Sequence, residues 1–187
     1  MTAFLDAVRA GDREEVERLL AADPAAAEAT EAGVSAPLLA LYHGRRELAE
    51  LLARARSELG VFEAAALDRT GRVEELLDAD PGEATAFSAD GFTALHLAAF
   101  FGAPDAAAVL VGRGADVRAV SRNALRVQPL HSAAAARQVE IARLLLDAGA
   151  DPNAAQEGGF VPLDAALQNE DRELEALLRG RGARPSR

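Results

Sequence analysis

Apolar residues recur along this chain in short stripes at helical spacing, each broken by glycine, proline or acidic residues before the next begins. The clearest stretch runs from Gly91 to Asp116. Leu95, Ala98 and Ala99 fall on one helical face, and the two small alanines admit a neighbouring helix at short range. Thr93 stands where that helix should begin. Its hydroxyl can accept a backbone N–H two or three residues on, an N-cap worth roughly 1 kcal/mol. Gly102 is the stop signal. A second stripe, Ala106, Val109 and Leu110, ends at Gly114, a residue able to take the left-handed conformation that closes a helix. Two short antiparallel helices and a polar turn are therefore predicted as one unit.

Aligned by their apolar pairs, six stretches share this layout: Leu19-Leu20, Leu51-Leu52, Leu76-Leu77, Leu110-Val111, Leu145-Leu146 and Leu177-Leu178. Their spacings are 32, 25, 34, 35 and 32 residues. Gly91, Thr93, Leu95, His96, Ala98-Ala99, Gly102 and Gly114-Ala115-Asp116 stand at offsets that resemble the ankyrin repeat, whose period is roughly 33 residues. The resemblance implies an all-α fold, an ankyrin-repeat α-solenoid of about six stacked helix-turn-helix repeats with short β-hairpin or loop fingers. It implies a single domain over 1–187, with repeats near 1–30, 31–57, 58–87, 88–121, 122–155 and 156–187.

The copies differ in readable ways. The short spacing of 25 leaves no residues for a finger between Arg54 and Gly60, so a tight connection is expected there. The segment Val117 to Val127 is longer than its counterpart after Gly149, so that finger should project furthest. Repeat two keeps Gly33, Ser35, Leu38, Ala40 and Gly44 but has Pro37 one place late and no histidine. Repeat five keeps Pro129-Leu130-His131 with Gln128, a poorer cap than threonine, and Arg137 in place of the inter-helix glycine. Repeat six has Val161-Pro162-Leu163 with Asp164 at the histidine position. Repeats one and three are degenerate, the third carrying Ala64-Ala65 with Asp68, and end in Asp23-Pro24 and Asp80-Pro81, where proline stops a helix.

Composition narrows the function. Half the residues are apolar, none is cysteine, and the net charge is -10. Neither a disulfide framework nor a thiolate metal site is available, and the negative charge argues against a phosphate-backbone ligand. Every basic residue is arginine, which GC-rich coding explains. Met1-Thr2-Ala3-Phe4-Leu5-Asp6 has neither the basic region nor the apolar run of a signal peptide, and no stretch approaches a membrane span. A cytoplasmic protein is expected. No phosphate loop, nucleophile elbow or metal-spaced cluster occurs, and Gly112-Arg113-Gly114 reads as a helix end. No catalytic residue, cofactor or metal is expected.

His96 and His131 hold equivalent positions one repeat apart, too distant to share a metal or a proton. The resemblance implies that each bonds near its own helix start and to the neighbouring finger. It also implies binding to a partner protein on a concave face made of fingers and first helices. Residues carried onto that face are Tyr42, His43, Phe92, Phe100, Phe101, Arg122, Arg126 and Phe160, and five of the chain's eight aromatics fall among them. Exposed aromatics are candidate anchors, with Phe100 and Phe101 expected near the centre and Phe101 as an exposed ring. The alternative is that Phe92 and Phe100 pack into the next finger. A non-catalytic adaptor or regulator is the reading, as a monomer or as a homodimer through the aromatic face. A different class, a small-ligand-binding or hydrolytic protein using groove carboxylates and histidines, would need a carboxylate within hydrogen-bond reach of a histidine. Asn153 matches a turn asparagine that is hydroxylated in some ankyrin proteins, although a turn former bonding its own backbone is the simpler role. Arg179, Arg181, Arg184 and Arg187 offer an anionic contact, or else complement a helix end and run into a frayed tail.

Overall fold

The computed structural model describes residues 2–186; Met1 and Arg187 lie outside them. The chain is organised in two compact units, the first up to Glu63 and the second from Ala64.

In the first unit, α1 (Thr2–Ala10) pairs with α2 (Arg13–Ala22), and α3 (Ala36–Tyr42) with α4 (Arg46–Ala55). Asp12 caps α2 by accepting the Glu15 N–H at 3.0 Å. Pro24 follows the helix and starts a 3-10 turn over Pro24–Glu28, as a residue with fixed φ and no N–H should. A hairpin then pairs β1 (Thr30–Glu31) with β2 (Val34–Ser35), Thr30 opposite Ser35. Its two turn residues, Ala32 and Gly33, both have positive φ. Leu38, Leu41, Leu48 and Leu52 form the buried centre between α3 and α4.

No hairpin follows α4. Residues 56–60 run directly to α5 (Val61–Ala66), as the short repeat spacing requires. Glu28 fixes this connection: one carboxylate oxygen accepts the Ser57 N–H at 2.8 Å and its hydroxyl at 2.9 Å. The other meets Arg56 at 2.9 Å.

The second unit has two helical layers. One holds α7 (Ala94–Phe101), α9 (Pro129–Ala135) and α11 (Pro162–Gln168) side by side. The other holds α6 (Thr70–Ala79), α8 (Pro104–Gly112), α10 (Val139–Asp147) and α12 (Arg172–Gly180), each against the next. The pairs α7/α8, α9/α10 and α11/α12 close the layers on one another. Leu95, Leu110, Leu130, Ile141, Leu145, Leu163, Leu174 and Leu178 are buried between them, with Ala98, Ala99, Ala133, Ala134 and Ala166 lining the close contacts. The finger before α7 is reduced to one bridge, Phe87 with Thr93.

Between paired helices the chain turns each time through a left-handed residue: Gly11, Gly44, Asp68, Gly102, Arg137 and Glu170. At Gly102 the φ of 71° favours glycine; an added Cβ would meet only the movable Gln138 amide, at 2.9 Å. Asp68 has a different reason. Ala103, which precedes α8, offers no capping side chain. The Asp68 carboxylate caps α8 from the preceding pair, accepting the Ala106 N–H at 2.8 Å.

The C-terminal segment is held in place. Asn153 donates to the Gly182 carbonyl at 3.1 Å and accepts the Arg184 N–H at 2.8 Å, while Asp164 accepts the Ser186 N–H at 3.0 Å. The frayed tail expected from the sequence is therefore corrected for residues 183–186. So is the local role expected of Asn153, whose own turn is closed by Asp151 instead. Arg179 and Arg181 pair with Glu175 and Asp147.

Asp68 thus combines a left-handed backbone, costing a β-carbon residue roughly 1 kcal/mol, with a cap worth about 1 kcal/mol. Urea unfolding should rank Asp68→Asn within about 0.5 kcal/mol of wild type, since asparagine tolerates both demands. Asp68→Ala should lose about 1 kcal/mol, the cap alone. Asp68→Gly should fall near wild type, relief of the left-handed backbone offsetting the lost cap; an Asp68→Ala variant as stable as wild type would show that the bond to Ala106 contributes nothing.

Candidate partner-binding face

The face is set by how each first helix of the second unit begins. Thr93 caps α7: its hydroxyl accepts the His96 N–H at 3.4 Å, and His96 Nδ1 accepts the Thr93 N–H at 3.2 Å. With Nδ1 an acceptor, the neutral ring carries its proton on Nε2, which donates to the Val127 carbonyl of the next finger at 3.0 Å. His96 performs both bonds expected of it. Burial lowers its pKa to about 4, against the opposing pull of the Val127 carbonyl. His131 repeats the first bond, Nδ1 accepting the Gln128 N–H at 3.1 Å, and burial lowers its pKa too. The Ala154 and Phe160 carbonyls lie against its ring and oppose that shift, while Gln128 Oε1 is buried without a partner. Asp164 replaces the imidazole with a carboxylate oxygen that accepts the Val161 N–H at 2.8 Å.

With helix starts aligned in this way, the last turns of α7, α9 and α11 bring Phe100, Ala135 and Gln168 to equivalent positions, all exposed. Phe100 is 44% exposed. Phe101 is half-buried and meets Phe100 edge-on, with ring centroids 5.2 Å apart. The open ring is thus Phe100, with Phe101 behind it. On the fingers, Phe92 is half-buried and tilted against His96 at 5.8 Å, Val127 is buried, and Phe160 is 43% exposed.

The finger from Ser121 to Val127 is tied to both neighbours. The Arg122 N–H donates to the Gly91 carbonyl at 2.8 Å, and Asn123 Nδ2 to the Asp90 carbonyl at 2.9 Å. On the other side Leu125 accepts the Glu157 N–H at 3.1 Å. Ser121 and Asn123, whose roles the sequence reading did not assign, build its interior. Buried Ser121 Oγ accepts the Val127 N–H at 3.0 Å, and Asn123 Oδ1 accepts the Leu125 N–H at 3.1 Å. The signal for them was present, since serine and asparagine form turns through such bonds. Arg122 is exposed and lies 3.9 Å above the Phe87 ring. Arg126 is exposed at a left-handed position, beside Leu125, which is 54% exposed. Tyr42 and His43 belong to the first unit, where both are exposed at the end of α3.

The bonds of His96 and the Nδ1 bond of His131 go to Thr93 and to backbone, not to a carboxylate. Among the described residues no group of three His, Cys, Asp or Glu side chains is placed to hold a metal ion. None of the described helices is long and apolar enough to cross a membrane.

Because the folded His96 resists protonation, stability should fall as pH drops from about 6.5, where the unfolded ring titrates, to about 4. Above that window both states are neutral and the effect is absent; below it the full cost, of order 3 kcal/mol, has been incurred. Urea unfolding at pH 7 and pH 4 should show a smaller drop for His96→Asn than for wild type. Equal drops would place the titration elsewhere.

A family model described as ankyrin repeats (3 copies) matches residues 61–156. An ankyrin repeat-containing protein of Treponema pallidum is 39% identical over 97 residues, covering 52% of this chain and 32% of that protein. The chain thus matches about a third of that relative's length. The capped first helices, the left-handed turns between paired helices and the imidazole bond to the next finger are the structural side of the same repeat. The chain belongs to the ankyrin-repeat family.

Proposed function

We propose that the second unit holds a segment of a partner protein along the strip from Phe100 past Ala135 to Phe160, and that the protein acts as a non-catalytic adaptor or regulator. The observation that carries this reading is the exposure of Phe100, Leu125 and Phe160 on elements whose neighbours are small or buried. Open rings beside an exposed alanine leave room for a partner's side chains, and rigid aromatics gain much contact for little lost freedom. Arg126 at the finger tip adds a cation for an acidic or carboxylate-bearing portion of the segment. Tyr42 and His43 offer a contact on the first unit in their own right. Ankyrin repeats generally serve as protein-binding modules with extended binding surfaces, which supports the class. Against the hydrolytic alternative stands the use of both Nδ1 atoms to hold helix starts.

Phe100→Ala should weaken partner capture from the host extract about 30-fold, near 2 kcal/mol, while losing far less stability than Leu110→Ala, whose cost is about 2–5 kcal/mol. Phe101→Ala should affect both, because its ring backs Phe100. Capture undiminished by Phe100→Ala would overturn the proposed face. A dimer of the purified protein abolished by Phe100→Ala would make a second copy of the chain the occupant.

A further inference from the structure

Charge is unevenly placed along this acidic chain. Acidic residues outnumber basic ones by 30 to 20, yet from Val117 to Val139 there is no aspartate or glutamate and there are four arginines. The stretch covers the finger before α9, α9 itself and the turn that follows it. Two of its arginines are engaged: Arg118 donates to the Gly149 carbonyl at 2.8 Å, and Arg137 stands 3.6 Å from Asp171. The other two, Arg122 and Arg126, are exposed on the finger and meet no carboxylate among the described residues. Elsewhere in the same unit Arg72, Arg113, Arg179 and Arg181 each do. The Phe87 ring covers one face of the Arg122 guanidinium at 3.9 Å, which leaves the in-plane N–H groups open to a planar acceptor. Leu125, 54% exposed, stands between the two cations in the chain. Backbone bonds to Gly91 and Glu157 hold this finger from either side, and Ser121 and Asn123 hold it from within. The three side chains are thus presented from a fixed backbone.

We propose that this fingertip recognises an acidic stretch of the partner protein in which an apolar residue is flanked by carboxylates. The proposal rests on the reading of this face as partner-binding and specifies the chemistry of the segment bound there. The apolar side chain covers Leu125, one carboxylate meets the Arg122 N–H groups in bidentate fashion, and a second meets Arg126. A finger already fixed in place lowers the entropy lost on binding. An exposed arginine–carboxylate pair is weak on its own, so neither cation would hold a partner alone; two of them around a covered leucine act together. The adjoining fingers bring Asp90, whose carboxylate accepts the Ser88 hydroxyl, and exposed Glu157. Glu157 weighs against an acidic segment, so both arginines are required. A nucleic-acid strand would meet the same cations, but the chain's net charge of -10 repels a long polyanion.

The test uses the full chain and three short peptides that differ only in charge: acetyl-Glu-Glu-Leu-Glu-Glu-amide and its glutamine and lysine counterparts. NMR follows the backbone amides of Leu125 and Arg126 and the side-chain Nε–H of Arg122. The glutamate peptide should shift all three saturably and bind about tenfold or more tighter than the glutamine peptide. Its affinity should fall severalfold when salt is raised from about 0.05 to about 0.5 M. Arg122→Glu together with Arg126→Glu should reduce it to the level of the glutamine peptide, with the fold intact by circular dichroism. Leu125→Ala should weaken both peptides severalfold. Arg143→Glu, a charge reversal at an exposed residue of α10, should leave binding within about twofold. Equal binding of the three peptides, or an equal loss from Arg143→Glu, would overturn the proposal. So would tighter binding of a short single-stranded oligothymidylate, which would make the fingertip a nucleic-acid site. Partner capture judges the wider face separately. Capture lost with Phe100→Ala but kept when the two arginines are reversed would spare the face and sink the acidic segment; the opposite pattern would keep the fingertip and move the rest of the site away from Phe100.

Discussion

A single buried hydrogen bond, from His96 Nε2 to the Val127 carbonyl, joins the start of one helix to the finger of the next repeat, and much else in the second unit follows from it. The same ring accepts the Thr93 N–H, so one side chain fixes a helix terminus and the spacing to its neighbour. Helices this short cannot bury their apolar stripes alone. They are held in register by such polar ties while alanines such as Ala98 and Ala133 let the backbones approach. Where histidine is absent the task passes to a carboxylate, as at Asp164. The first bond is kept and the second oxygen is turned to the Ser186 N–H.

Much of this was legible in the sequence because it depends on residues at fixed short offsets. Thr93 and His96 are three apart, and a cap followed by a ring acceptor at that distance has few other uses. The tight join after α4 was readable as a count of missing residues. What escaped was whatever depends on a partner one repeat away. Asp68 reads as a lost glycine until Ala106 is placed above it. Asn153 reads as a turn former until the C-terminal segment is brought to its amide.

The binding candidates were legible as a set but not in rank. Phe100 and Phe101 are adjacent, and a helix turns by about 100° per residue, so one faces outward and the other inward. Which is which depends on where the helix starts and what packs against it. Leu125 shows the converse: a leucine in a loop carries no periodicity to mark it as exposed. Its position is fixed by Ser121 and Asn123, through bonds that only the closed finger reveals.

Repeat families drift, and the departure of Asp68 from the glycine of its neighbours has the look of decay. Its bond to Ala106 gives it another meaning. The helix it caps begins after Ala103, which has no side chain able to cap it, so the two positions are coupled energetically. Glycine at residue 68 would remove that cap, and a polar side chain at residue 103 is what could restore it. Substitutions chosen repeat by repeat from a consensus would miss that coupling, because the cap spans the junction between two repeats.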